Sequence, residues 1–124
     1  MYLLDTHVLL WWIMDDIRLP ERVRSILKNP EHQIWVSSCS IWEIFIKKNR
    51  GKLKVRDDIE SFIEAEGFKQ LDISLRHAQL AGSLPRHHED PFDRMLIAQA
   101  SLEKLKLITG DAHFKPYEAP MVIF

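Results

Sequence analysis

Short apolar segments alternate with longer helical segments along the whole chain, and this alternation limits the possible folds more than any other feature. Most of the short segments are apolar throughout, which is typical of strands covered on both faces. Such strands, separated by helices, predict a mostly parallel five-stranded sheet inside a three-layer α/β/α sandwich. The predicted strands are Tyr2–Leu4, Gln33–Val36, Phe68–Ile73, Leu105–Ile108 and Met121–Phe124.

Start and stop signals for helices lie between these strands. Pro20 begins one helical stretch and Asn29-Pro30 closes it, while Ser37-Ser38 can cap the next. The loop predicted before the last helix is 85–91. The first helix is expected from about residue 8, and the others over about 21–28, 39–50, 57–66, 74–80 and 92–104.

Length and composition indicate one domain over residues 1–124. The chain has 124 residues, 46% of them apolar, which suffices for one core. The apolar run Val8–Met14 is far below the roughly 20 residues that span a bilayer, and acidic residues flank it where a signal peptide would not have them. With a single cysteine, Cys39, the sequence predicts a cytoplasmic protein without membrane contact.

Basic residues concentrate in one strip, although the formal net charge is only −1. A protein that coats nucleic acid would be clearly basic, so any contact with nucleic acid must be local. The strip could face phosphates, with Lys47 as a candidate for substrate binding, and it could also be a helix C-terminus ended by Gly51. Its members are Lys47, Lys48, Arg50, Lys52, Lys54 and Arg56.

Four acids border or interrupt apolar segments, where solvent-facing acids are unusual. Asp5 ends the first strand, and Asp111 follows the fourth strand through Thr109-Gly110. Glu43 lies in a helix that is apolar almost all round, and Asp93 lies in the first turn of the most apolar helix. Ligands bind beyond the carboxyl ends of parallel strands, so we predict that these acids share a site there.

Gathered carboxylates require a cation. Two like charges 4 Å apart repel by about 4 kcal/mol at an effective dielectric near 20. Oxygen ligands favour Mg²⁺ or Mn²⁺, and such ions activate water for phosphodiester hydrolysis. Each acid alone also has a structural interpretation: Asp5 and Asp111 as turn caps, Asp93 as a helix N-terminal acid and Glu43 as a partner of Lys47.

Other side chains invite functional hypotheses. Cys39 is interpreted as a small buried residue rather than a nucleophile. His7 and the His87-His88 pair are weaker candidates for contact with RNA, and Arg94 is expected to pair with phosphate or with a neighbouring acid.

The sequence resembles the PIN-domain ribonucleases, and among them the toxins of VapBC toxin–antitoxin pairs. The resemblance spans the chain in the family's order and spacing. It rests on the segments 4–11 (LDTHVLLW), 36–44 (VSSCSIWEI), 88–100 (HEDPFDRMLIAQA) and 108–111 (ITGD).

The resemblance implies a fold, a site and partners. Asp5, Glu43, Asp93 and Asp111 match the family's metal-site acids, and Thr6 and Thr109 match polar positions that line such sites. It further implies RNA cleavage with tRNA among the substrates, a homodimer, and neutralisation by a small VapB-like antitoxin. Glu89 departs from the pattern, because this subfamily often carries Arg there.

Two alternatives to a nuclease remain at this point. One is a PIN-like domain that binds RNA or an antitoxin without cutting. The other is a receiver-like domain that is phosphorylated on Asp5, although the adjacent acid pair and the late Lys of such domains are missing. Asp90, which precedes Pro91, is interpreted as a turn residue.

Overall fold

A single sheet organises the molecule. The computed structural model describes all 124 residues. Every neighbouring pair of strands is parallel, in the order β3-β2-β1-β4-β5, so the predicted α/β sandwich is confirmed and the sheet is parallel throughout. The strands are β1 (Tyr2–Leu4), β2 (Ile34–Ser37), β3 (Lys69–Leu71), β4 (Lys106–Thr109) and β5 (Met121–Ile123).

Six α-helices connect the strands, as the start and stop signals predicted. The first helix begins at Thr6 rather than near Val8, because the Asp5 side chain accepts hydrogen bonds from the first turn. A short 3₁₀ helix, Ala112–Phe114, was not predicted. The α-helices are α1 (Thr6–Ile13), α2 (Glu21–Lys28), α3 (Ser38–Asn49), α4 (Ile59–Ala65), α5 (Leu75–Ser83) and α6 (Pro91–Glu103).

Two apolar cores cover the two faces of the sheet. Successive side chains of β1 point to opposite faces, so Leu4 joins one core and Leu3 the other. The Leu4 core contains residues from α1, α2, α3 and α4, and the Leu3 core contains residues of α6 and the 3₁₀ helix. This three-layer packing buries β1 and β4 between the two cores.

Helix ends follow from local backbone chemistry. After α3 the chain turns through Gly51 at φ +71°, a left-handed conformation that glycine adopts without a steric cost. Lys47 and Lys48, the first two residues of the basic strip, lie in the last turn of α3, as the interpretation of the strip as a helix C-terminus predicted. None of the helices combines the length and apolarity that a bilayer span requires.

Candidate active site

The strand order places a crevice at the carboxyl ends of β1 and β4. From β1 the chain passes to β2 and β3 on one side, and it later returns to β4 on the other side of β1. The connections after β1 and β4 therefore diverge, which is the arrangement that creates ligand sites in open α/β sheets. Asp5 follows β1 directly, and Asp111 lies two residues after the end of β4.

Asp5 is buried at this crevice and is held from three directions. Its Oδ1 accepts hydrogen bonds from the backbone N–H groups of His7 and Val8, at 2.7 and 3.1 Å. Its Oδ2 accepts one from the Thr109 hydroxyl at 2.5 Å. Burial nevertheless raises the pKa of Asp5, against the opposite effect of these hydrogen bonds.

Thr109 connects the two strand-end acids. Its hydroxyl donates to Asp5, and its Oγ1 accepts a hydrogen bond from the Asp111 backbone N–H at 3.0 Å. Thr109 is fully buried as the last residue of β4. The threonine therefore fixes Asp5 relative to the loop that carries Asp111.

Glu43 enters the site from α3. Glu43 is on the buried face of the helix with Cys39, Ser40 and Ile44, and it is 6% exposed. Its Oε2 accepts a hydrogen bond from Lys47 Nζ at 3.0 Å, whereas its Oε1 is buried without any hydrogen-bond partner. A buried carboxylate oxygen with no donor is costly, so it marks a place where a cation would stabilise the protein.

Asp93 lies in the first turn of α6, opposite Glu43. The turn is shaped by Asp90, whose side chain caps the helix by accepting from the N–H groups of Phe92 and Asp93. Burial raises the pKa of Asp93 to about 8, and the negative charges of four further acids add to the shift. Those acids are Asp90, Asp5, Glu43 and Asp111.

Asp111 lies at the outer side of the crevice between two histidines. His113 contacts its Oδ1 through the backbone N–H at 2.9 Å and through Nδ1 at 2.7 Å. His88 Nε2 lies 3.6 Å from Asp111 Oδ2. Partial burial acts to raise the pKa of Asp111, but the His113 hydrogen bonds and the two histidines outweigh it and lower that pKa.

His88 closes the crevice from the loop before α6. Its Nε2 lies 2.8 Å from Asp93 Oδ2, in an ion-pair contact without hydrogen-bond geometry. Its Nδ1 faces the Asp90 backbone N–H at 3.3 Å, and its ring packs on Phe114. Ligand atoms of His88, Asp93 and Asp111 lie within 4.8 Å of one another.

These contacts bring the four predicted acids into one electrostatic neighbourhood. Asp93 experiences the charges of the other three, and Thr109 joins Asp5 to the Asp111 loop. Carboxylate oxygens are the ligands that hard divalent cations prefer. The Glu43 oxygen has no partner, and the pKa of the neighbouring Asp93 is raised. Both observations fit a site for a divalent cation whose ligands are mainly oxygen atoms.

Three of the four predicted substrate-binding side chains have structural partners instead of open surface. Thr6 is buried, and its hydroxyl donates to Ser40 Oγ at 2.9 Å. Thr109 is occupied as described. The Arg94 guanidinium donates to the backbone carbonyls of Leu84, Pro85 and His88, so it holds the loop and does not pair with a neighbouring acid.

Lys47 lies beside the site. The other residues of the basic strip are either paired with acids or exposed. Lys47 bonds Glu43 with 41% of its side chain exposed. Lys48 pairs with Asp57 and Arg56 pairs with Asp58, so two of the strip's charges are used locally. Arg50, Lys52 and Lys54 are exposed.

One residue of the site escaped the sequence reasoning, a second has contacts that were not predicted, and one hypothesis gains support. Ser40, three residues before Glu43, receives the Thr6 hydrogen bond, and its helical spacing from Glu43 was the available signal. His88 was predicted only as a weaker candidate for contact with RNA, and its contacts with Asp93 and Asp111 were not predicted. Cys39 is buried and its pKa is raised to about 12, mainly by burial and then by nearby acids, so it is no thiolate nucleophile.

Known proteins share both the sequence pattern and the fold. Residues 2–119 match the profile of the PIN domain. Ribonuclease VapC22 of Mycobacterium tuberculosis is 25% identical over 121 residues, which are 95% of this chain and 92% of that protein.

Two solved structures resemble the whole fold. The DNA-bound VapBC of Salmonella typhimurium has a TM-score of 0.74 at 17% identity, covering 98% of this chain and 96% of that one. VapBC2 of Rickettsia felis, bound to a DNA fragment from its promoter, has a TM-score of 0.69 at 18% identity, covering 98% and 97%. At these identities the structural likeness bears on the fold alone. Together with the profile match across nearly its whole length, the sheet order and the site at its switch point, this shows that the chain belongs to the PIN domain family.

Proposed function

We propose that this PIN domain is a metal-dependent endoribonuclease that hydrolyses phosphodiester bonds at the crevice between β1 and β4. One observation carries the proposal: a buried Glu43 oxygen has no hydrogen-bond partner, while burial, together with the charges of Glu43 and three further acids, raises the pKa of the neighbouring Asp93 to about 8. A fold keeps such an unfavourable cluster where the cluster has a ligand to bind. That ligand is positively charged.

Asp5, Glu43, Asp93 and Asp111 would hold Mg²⁺ or Mn²⁺. When bound, the metal supplies an activated water and stabilises charge on the phosphate. The chain's own residues prepare the site: Thr109 orients Asp5, and His88 supports Asp93 from the loop.

Positive charge near the acids would hold the RNA backbone. Lys47 is partly exposed beside Glu43, and Arg50, which follows the last residue of α3, is exposed. The i, i+4 spacing puts Lys47 on the side of α3 that carries Glu43, and Arg50 continues that side at the helix C-terminus. We propose that they contact phosphates on one side of the crevice.

The biological role proposed here is that of a toxin in a VapBC-type pair. The name of the M. tuberculosis relative describes a ribonuclease, and the structural neighbours are VapBC complexes. By this analogy we propose a VapB-like antitoxin as the partner, a homodimer as the assembly, the cytoplasm as the location and tRNA as a substrate class.

Incubation of the purified chain with total RNA tests the nuclease proposal. We expect cleavage with Mn²⁺ or Mg²⁺, none with EDTA, and a loss of more than about a hundredfold in Asp93→Asn, since even outer partners of metal ligands cost 10–100-fold. Asp57→Asn is the matched control, because Asp57 is an exposed acid whose only partner is Lys48. Equal cleavage by wild type and Asp93→Asn would overturn the proposal, and no cleavage by either would favour a domain that binds RNA or an antitoxin without cutting.

A further inference from the structure

A pocket of about 420 Å³ opens beside the acids, on the side of α1. This volume falls within the range of small-molecule sites. Asp5 and Asp111 form the wall next to the crevice, and His7, Trp11, Arg18 and His113 line the rest. The pocket is therefore continuous with the site that would hold the scissile phosphate.

Planar side chains dominate the wall away from the acids. The rings of His7 and Trp11 lie 6.0 Å apart, inclined by 46°. The Arg18 guanidinium carbon lies 5.2 Å from the centre of the Trp11 ring. Asp16 fixes that guanidinium through two bonds of 3.1 and 2.7 Å, so its plane is held in place.

The floor of the pocket depends on a glycine. A Cβ at Gly110 would lie 2.9 Å from Cε2 of Phe124, so any other residue there would require the Phe124 ring to move. The Phe124 ring in turn lies 6.2 Å from Trp11. Gly110 thus lets the C-terminal aromatic ring approach the loop that carries Asp111 and support the planar wall.

We propose that this pocket, the Trp11 pocket, binds one unpaired base of the substrate RNA next to the phosphate at the acids. This inference rests on the proposed nuclease function and adds to it a subsite on α1 for one base at the cleavage site. Sequence-tolerant recognition of single strands uses aromatic faces and guanidinium planes, which are the groups found here. A base inside a duplex could not reach this wall.

The charges around the pocket favour this orientation. The acid wall accepts phosphate through a bound cation, whereas the charge of Arg18 on the planar wall is already paired with Asp16, which leaves the guanidinium plane for a base. The base would therefore lie toward Trp11 and its phosphate toward Asp5 and Asp111. His113, which contacts Asp111 at 2.7 Å, lies at the boundary between the two parts.

The test compares two probes on the Asp93→Asn chain with Mn²⁺, so that RNA is bound but not cut. One probe is a fluorescein-labelled single-stranded RNA decamer, and the other is a decamer of abasic spacers with the same phosphates. We expect the RNA decamer to bind roughly tenfold more tightly by fluorescence anisotropy, the effect of one stacked base. Arg18→Ala and His7→Ala are expected to remove most of this difference, and both side chains are exposed, so these variants should fold.

Arg76→Ala is the matched control, because Arg76 is an exposed arginine on α5 that lines a different pocket. It should keep the full difference between the probes. The proposal is overturned if the two decamers bind equally, if neither binds, if a blunt RNA duplex binds as tightly as the single strand, or if Arg18→Ala weakens both probes alike. Should the wild type cleave total RNA while the decamers bind equally, only this inference fails; should it cleave none, the nuclease proposal fails as well.

Discussion

Two buried polar regions of this molecule contrast sharply, although they lie on neighbouring elements. The first is the acid crevice of Asp5, Glu43, Asp93 and Asp111. The second, which we call the Gln99 network, joins Ser37, His77, Gln99 and Glu103. In the first, Glu43 Oε1 and His88 Nε2 lack hydrogen-bond partners, whereas no side-chain polar atom of the second is buried without a partner.

The Gln99 network is complete at each step. The Ser37 hydroxyl donates to Gln99 Oε1 at 2.6 Å, and its oxygen accepts from the Cys39 N–H that begins α3. Gln99 Nε2 donates to the Asp72 carbonyl at 3.3 Å. His77 forms a reciprocal cap with Ser74 at the start of α5 and contacts Glu103 at 2.9 Å.

The two regions differ in whether their buried polar atoms have hydrogen-bond partners. We interpret this as the difference between a structural role and a ligand-binding role. A satisfied buried network stabilises and specifies the packing of α3, α5 and α6. An unsatisfied cluster of like charges destabilises the fold, and we propose that it is retained for the cation that it binds. The two regions should therefore respond to mutation with opposite signs.

The largest expected effect concerns the pH dependence of the metal-free protein. The pKa of Asp93 is 3.8 in the unfolded reference and about 8 in the fold, so the folded chain keeps a proton that the unfolded chain has lost. Stability should therefore fall as pH rises from about 4 to about 8. Urea unfolding in EDTA at several pH values measures this, and Asp93→Asn should be the more stable chain at pH 8. Parallel pH profiles for the two chains would contradict it.

Breaking the Gln99 network should have the opposite sign. Gln99→Leu leaves the buried Ser37 hydroxyl without its acceptor, while His77 keeps Ser74 and Glu103, and we expect a loss of about 1–3 kcal/mol in the free energy of unfolding. Urea denaturation at fixed pH gives the value. Gln79→Leu, at an exposed position on α5, is the control and should stay within about 0.5 kcal/mol of wild type. A Gln99→Leu chain as stable as this control would contradict a stabilising role for the Gln99 network.

Lys47→Ala is the smallest perturbation and sharpens the comparison. The Lys47–Glu43 pair is partly exposed on the lysine side, so its removal should cost less than about 1 kcal/mol. The variant leaves both Glu43 oxygens without a hydrogen bond, so the cost measured in EDTA should exceed that measured with Mn²⁺. An identical cost in both conditions would mean that Glu43 does not sense the cation.

Much of this could be predicted from the sequence because it depends on local patterns. Short apolar strands identified the parallel sheet, and acids at strand ends or on apolar helices identified Asp5, Glu43, Asp93 and Asp111 as neighbours. Asp90 behaves as the turn residue expected before Pro91.

The remainder depends on contacts between segments distant in sequence. The Ser37–Gln99 hydrogen bond joins residues 62 positions apart, and no pattern in the sequence of α6 predicts which residue would bond to a buried glutamine. His88 reaches Asp93 only because Arg94 pins its loop through backbone carbonyls, which carry no sequence signal. The 3₁₀ helix at Ala112–Phe114 is too short to produce a periodic pattern.

Isothermal titration of the chain with Mn²⁺, in two buffers of different ionisation enthalpy near pH 7.5, tests the central claim most directly. If the four acids form one cation site, Mn²⁺ binds and displaces the proton that Asp93 holds, so the apparent enthalpy differs between the buffers. Asp93→Asn should bind more weakly and lose that difference. Absence of Mn²⁺ binding to the wild type, or binding without proton release that Asp93→Asn leaves unchanged, would contradict the account.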